Sequence, residues 1–271
     1  MSKRLTGLDR RFALLLVFGL VAGCGGGDGG SGSAAEESGA EMAAEEGGGM
    51  ASAVDLATAG KITGSVMFRG MAPAAEPIDM NEEPTCAQKW SERPMTERVV
   101  VNDNGTLENV FVYVKSGLPE MDFPTPSDPV VLDQNGCRYH PHVFGIQVGQ
   151  TLQIKNSDGI LHNIKAKPRQ NRGFNISQPV EMTTERRFSQ PEVMVPLQCD
   201  VHGWMNAYAG VLNHPYFSTT GDQGSFTIDR LPPGNYVIEA WHEEYGTQTQ
   251  EVTVGPSQTV EVSFTFGEPG A

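Results

Sequence analysis

The chain has 271 residues, 33 acidic side chains against 19 basic ones, and a formal net charge of −14. That length allows one or two ordinary domains, and the charge argues against nucleic-acid binding, which needs clustered Lys and Arg to displace counterions. Gly 32 and Pro 18, with few long apolar runs, favour strands and turns over helix bundles.

The chain opens with Lys3, Arg4, Arg10 and Arg11 against a single Asp9, followed by an apolar run from Phe12 to Val21. A run of about ten residues is too short to cross a bilayer as a helix and reads as a signal-peptide core. From Gly25 to Asp55 the chain is Gly, Ser, Ala and acid, with seven acids and no base. It has almost nothing to bury and is expected to stay disordered, a tether of about 30 Å r.m.s. reach.

From Gly60 onward the pattern is short strands with turn punctuation. Ile62, Gly64, Val66 and Phe68 share one parity; Val110, Val112 and Val114 share another, with Phe111 and Tyr113 opposite. Val143–Val148 leads past Gly149 to Leu152, Ile154 and Asn156, which read as paired strands. Val193, Val195, Leu197 and Cys199 share parity, so with the valines in the core Cys199 points inward at the strand's end. Ala207, Ala209 and Val211 read as its partner strand. Turn signals at Asp222-Gln223-Gly224 and Leu231–Gly234 introduce a final meander through Val252/Val254 and Val260, Val262, Phe264 and Phe266. Residues 71–109, with Cys86 and Trp90, match no pattern, and no segment has a helical period long enough to matter.

Cysteines stand at 24, 86, 137 and 199. Val21-Ala22-Gly23-Cys24 resembles a bacterial lipobox, which implies a signal peptide over 1–23, lipidation of Cys24, and a tether over 24–55. The protein would be extracytoplasmic and anchored to an envelope membrane, the outer one where two are present. Export places the other three cysteines where disulfides persist. Three cannot all pair; we assign the pair to Cys86 and Cys137 and leave Cys199 over.

Gly60-Lys61-Ile62-Thr63-Gly64-Ser65-Val66, with Thr220–Ile228 and Leu231–Tyr236, resembles the carboxypeptidase-regulatory-like β-sandwich modules, which have a transthyretin-like topology. The gap between these halves implies one sandwich (60–127 plus 214–267) with a second domain, 128–213, inserted. In that second segment Leu161-His162-Asn163-Ile164 and Cys199-Asp200-Val201-His202-Gly203-Trp204-Met205 together resemble the cupredoxins, the blue-copper electron carriers. The C-x2-H-x2-M spacing is similar to the amicyanin loop and the His-Asn pair to plastocyanin. The fold class expected is therefore all-β, a cupredoxin-like Greek-key sandwich inserted in or joined to a transthyretin-like sandwich.

The resemblance implies one type 1 copper held by His162, Cys199, His202 and Met205. Two imidazoles, a thiolate and a weak axial thioether suit copper in either oxidation state, whereas zinc gains little from the thioether. Four protein ligands leave no position for substrate, which favours electron transfer over enzymology. The resemblance also implies that Asn163 ties the His162 loop to the Cys199 strand, and that His202 surfaces in an apolar patch with Gly203 and Trp204, although Trp204 could equally pack inward. His140 and His142 read as surface histidines beside a disulfide, and His214, His242, Trp90 and Trp241 as structural. The expected partners are redox proteins: from Leu56 onward 15 basic and 25 acidic residues suit a basic docking face. A copper carrier or sensor, or a glycan-binding or structural lipoprotein, is the alternative.

Overall fold

The structure, a computed structural model, describes residues 54–267. The expected signal peptide, Cys24 and the tether up to residue 53 lie outside the described residues. Among the described residues no helix is long and apolar enough to cross a membrane.

The chain enters as β1 (Gly60–Arg69), runs through an irregular segment with one short helical turn, α1 (Pro84–Ala87), and continues as β2 (Phe111–Ser116). Nine strands follow: β3 (Val130–Asn135), β4 (Arg138–His140), β5 (Val143–Gln147), β6 (Leu152–Asn156), β7 (His162–Ala166), β8 (Phe174–Gln178), β9 (Met182–Arg186), β10 (Glu192–Gln198) and β11 (Asn206–Leu212). The last five are β12 (Phe217–Thr219), β13 (Ser225–Leu231), β14 (Gly234–His242), β15 (Gly246–Val254) and β16 (Thr259–Gly267).

These strands make an all-β molecule of two sandwiches. One pairs sheet β13-β1-β16 with sheet β12-β2-β14-β15; the other pairs β4-β3-β6-β9 with β5-β11-β10-β7-β8. Each has its own apolar core, around Ile62, Val112, Ile238 and Phe264 in the first and around Leu132, Ile154, Ile164 and Leu197 in the second. Alternation explains the first sandwich directly. In β16, Val262, Phe264 and Phe266 are buried while Ser263 and Thr265 face water. Burying each such side chain contributes about 1.5–3 kcal/mol.

Three local expectations fail, each because alternation names the buried face but not the partner strand. β5 and β6 do not pair with each other. β5 lies parallel to β11, and β6 joins the opposite sheet between β3 and β9. The C-terminal strands are not a simple meander, because only β14 and β15 form a hairpin and β16 crosses over to lie parallel to β1. Val193 is 37% exposed, because a bulge between Glu192 and Val195 reverses the parity upstream of it. Downstream of the bulge, Val195, Leu197 and Cys199 do face inward.

Where the two sandwiches meet, Gly145 of β5 stands directly across from Gly210 of β11. A Cβ at Gly145 would lie 2.3 Å from the Phe217 ring, and one at Gly210 would lie 2.5 Å from the Phe111 ring. Two adjacent residues without side chains thus let aromatic rings of the first sandwich lie against the backbone of the second.

Cys86 on α1 and Cys137 in the β3–β4 turn form a disulfide across a sequence separation of 51, and both are fully buried. Closing a loop of that length contributes about 4 kcal/mol in the chain-entropy account. Replacing both with serine (Cys86→Ser, Cys137→Ser) is expected to cost about that much in urea-unfolding free energy. A loss below about 1 kcal/mol would show that the bond restrains little of the unfolded chain.

Candidate metal centre

β10 and β11 are registered up to Gln198 opposite Asn206, so the next pair across the hairpin is Cys199 and Met205. The loop closes there: the Cys199 N–H donates to the Met205 carbonyl at 3.1 Å, and the Met205 N–H to the His202 carbonyl at 2.9 Å. This tight turn folds His202 back so that its own N–H donates to Cys199 Sγ at 3.2 Å. β7 runs antiparallel to β10 on the other side, with Gln198 opposite Lys165, and begins at His162. Residues 37 apart in sequence are thereby neighbours at one end of the sheet.

The outcome is a cluster of donors. One ligand atom from each of His162, Cys199 and His202 lies within 4.8 Å of the others. The two Nδ1 atoms are 2.9 Å apart. His162 is 0% exposed, His202 2%, Cys199 4% and Met205 1%. Donors bonded to one ion at about 2.0–2.3 Å with tetrahedral angles lie about 3.3–3.8 Å from each other, so the cluster can close on a single small ion with shifts of up to about an ångström. Two nitrogens and a soft sulfur, with a thioether side chain at the base of the same loop, match a thiophilic transition metal.

Charge in this pocket is arranged around the thiol. Burial pushes the Cys199 thiol up, but hydrogen bonds from the His162 and His202 rings and from the His202 backbone outweigh it and bring it down to about 6. His162 is the counterpart: burial opposes its charged form, yet Asp158 and Cys199 raise its pKa. Asp158 is likewise opposed by burial but held down to about 2 by His162, the Cys137 N–H, Lys89 and the Gly136 N–H. Its carboxylate contributes stability above 3.8 that is lost as pH falls through about 2.

Asn163 spans the two strands: its Oδ1 accepts the Asp200 N–H at 2.5 Å, and its amide reaches Asn175. Tyr139, beneath it, donates its hydroxyl to the Asn163 carbonyl at 2.5 Å. His202 departs from expectation. It does not reach the surface, because the α1 segment covers its outer edge, with Cys86 Sγ and Glu83 Oε2 each 3.8 Å from Nε2. Gly203 is exposed, and Trp204 is partly so. The Trp204 ring lies 5.1 Å from that of His202, and its Nε1 donates to the Cys137 carbonyl at 2.9 Å. Val201 and Leu161, next to the two histidines in sequence, are 47% and 44% exposed.

His142 is also not a surface residue. It is buried between the Glu243 carboxylate at 2.5 Å and the Tyr208 ring, where the two sandwiches meet. His214 and His242 are buried as well. Sequence reasoning missed Asp158 and the α1 cover. The only local sign of Asp158 is its place four residues before His162, in an Asn-Ser-Asp-Gly stretch that reads as an ordinary turn.

Residues 209–267 match the family model of the carboxypeptidase regulatory-like domain. The chain is similar to the solved structure of a purple cupredoxin from Nitrosopumilus maritimus, at 20% identity and a TM-score of 0.26, covering 30% of this chain and 97% of that one. It is also similar to a mutant of amicyanin, Cu(I), at 15% identity and a TM-score of 0.28, covering 37% of this chain and 97% of the other. A third is the Cu-containing nitrite reductase from Thermus scotoductus SA-01, at 16% identity and a TM-score of 0.29, where the match covers 54% of this chain and 28% of that one. The search of curated proteins found no match. The family-model match therefore lies in the C-terminal part of a chain built of two β-sandwiches.

The thiol gives a direct test in metal-free protein. Its folded value near 6 against 9.0 for a free thiol means that the thiolate contributes stability above 9.0, and that this fades as pH falls through 6. The ultraviolet thiolate absorbance of Cys199 is expected to titrate near pH 6 and to be absent from Cys199→Ser; a midpoint near 9.0 would contradict the charge arrangement.

Proposed function

We propose that this chain is a lipid-anchored, extracytoplasmic electron carrier, not an enzyme, and that it holds one type 1 copper between His162, Cys199, His202 and Met205. The observation that carries the reading is the convergence of two imidazole Nδ1 atoms and one thiol, all buried, where the start of β7 meets the closed β10–β11 loop that also carries Met205. Copper bound there supplies a one-electron Cu(I)/Cu(II) couple.

The protein's part is to hold the donors still. His162 is fixed by strand pairing, Cys199 and Met205 by the loop's backbone bonds, and His202 by its place under α1. A site whose donors hold one arrangement in both oxidation states lets an electron pass with little rearrangement. The dry surroundings keep water away from the ligands, and four protein donors leave no position for a substrate.

With His202 covered, the electron-exchange face centres on Trp204 and Gly203, bordered by exposed Val201. Trp204 is in ring contact with a ligand and still partly open to solvent. The excess of acid over base suits a partner with a basic face, and the lipobox-like Val21–Cys24 supplies the anchor. The cover over His202 weighs against copper delivery, since handing over an ion needs a ligand that an incoming donor can reach.

Loading the full-length protein with Cu(II) is expected to produce an intense visible thiolate-to-copper absorption and a reversible one-electron voltammetric wave. Both are expected to vanish in Cys199→Ser. A wild-type protein that binds Cu(II) but stays colourless would contradict this function.

A further inference from the structure

Asp158 is a carboxylate buried at the end of β6, its side chain only 1% exposed. Each of its oxygens has two donors. Oδ1 accepts the Gly136 N–H at 2.7 Å and faces Lys89 Nζ at 3.1 Å. Oδ2 accepts the Cys137 N–H at 2.7 Å and stands 2.8 Å from His162 Nε2. The Lys89 ammonium donates as well to the Asp158 carbonyl at 3.2 Å, and the Asp158 N–H is held by Asn156 Oδ1 at 3.0 Å. Nothing in this arrangement leaves the carboxylate free to turn.

The donors come from three separate pieces of chain. Gly136 and Cys137 are the two turn residues between β3 and β4, both at positive φ (+63° and +55°), as a two-residue hairpin turn of this hand requires. Gly136 is doubly constrained, because a Cβ there would lie 2.7 Å from the Trp90 ring. Lys89 follows α1 by two residues, and α1 carries Cys86, the disulfide partner of Cys137. The carboxylate and the disulfide therefore join the same turn to the same cover. His162 is the third piece, and it is a ligand in the copper reading.

From this we infer that Asp158 is the positioning residue of the site: it fixes His162 in the Nε2–H form, turns the Nδ1 lone pair toward Cys199 and His202, and ties that orientation to the disulfide-held cover. The inference rests on the proposed metal site for its purpose, but the hydrogen-bond geometry stands without it. An ionised carboxylate only accepts. With Oδ2 at 2.8 Å, Nε2 has to present its hydrogen; the alternative form would set a lone pair against the carboxylate and point a hydrogen into the donor cluster. A histidine ligand whose far nitrogen donates to a carboxylate is oriented and made more basic, and losing such a partner typically costs 10–100-fold in metal affinity (about that range).

Nitrogen-15 NMR of the full-length protein tests this with two readouts. In metal-free wild type at alkaline pH, His162 is expected to be the Nε2–H tautomer. In Asp158→Asn, whose single carbonyl oxygen cannot replace two, the tautomers are expected to mix, and affinity for zinc(II) alone to fall by about 10–100-fold. A wild-type His162 in the Nδ1–H form would overturn the inference, as would an Asn variant equal to wild type in both readouts. The wild-type tautomer decides the matter even where the variant does not fold. A wild type that shows Nε2–H and binds zinc(II), yet stays colourless with Cu(II), would sink the electron-carrier reading and leave the role of Asp158 intact.

Discussion

Two imidazole nitrogens 2.9 Å apart and a thiol within reach of both, all shut away from water, put three metal-ligating atoms in one place. In metal-free protein one hydrogen bond joins the Nδ1 atoms and the His202 N–H donates to Cys199 Sγ, so the three groups pair with one another while facing a common centre. Buried polar groups are normally paired, and a cluster of donors aimed inward is stable when a cation takes the centre. The rest of the molecule can be read as what keeps these donors in place: a tight hairpin loop, a strand start beside it, and a carboxylate behind His162.

The architecture gives that cluster a rigid setting. The second sandwich leaves the first after β2 and rejoins it at β12, and β12 pairs with β2, so the insertion is anchored at both ends by neighbouring strands. Facing glycines at the junction allow Phe111 and Phe217 to pack against its sheet. The irregular segment between β1 and β2 belongs to the first sandwich by chain order, yet it reaches the second and covers His202 through α1 and the disulfide. Because both sulfurs are fully buried, the bond acts as a fixed clamp, closed to attack by an outside thiol.

The all-β class and the identity of the clustered side chains were legible from alternation and from two short motifs. Cys199 could be aimed inward by parity because Val195 and Leu197 sit in an uninterrupted stretch, and the same parity failed at Val193, where a bulge intervened. Strand partners were not legible. The alternation of β6 or β16 looks the same in either sheet, and sheet choice is settled by packing across the core. The cover over His202 was hidden for a different reason. Residues 71–109 form almost no regular structure, so neither period nor turn signal marks them, and they reach the second sandwich through single contacts: a disulfide, Lys89, Glu83, Trp90 and the buried Ile78 and Met80. Asp158 escaped because a carboxylate in a turn is usually solvated, and only the fold puts this one against an imidazole.

X-ray absorption at the copper edge of the loaded full-length protein tests the central claim most directly. The account predicts a first coordination sphere of one short sulfur and two imidazole nitrogens, with the thioether sulfur farther out. A sphere of oxygen and nitrogen without a short sulfur would place the ion elsewhere and contradict it.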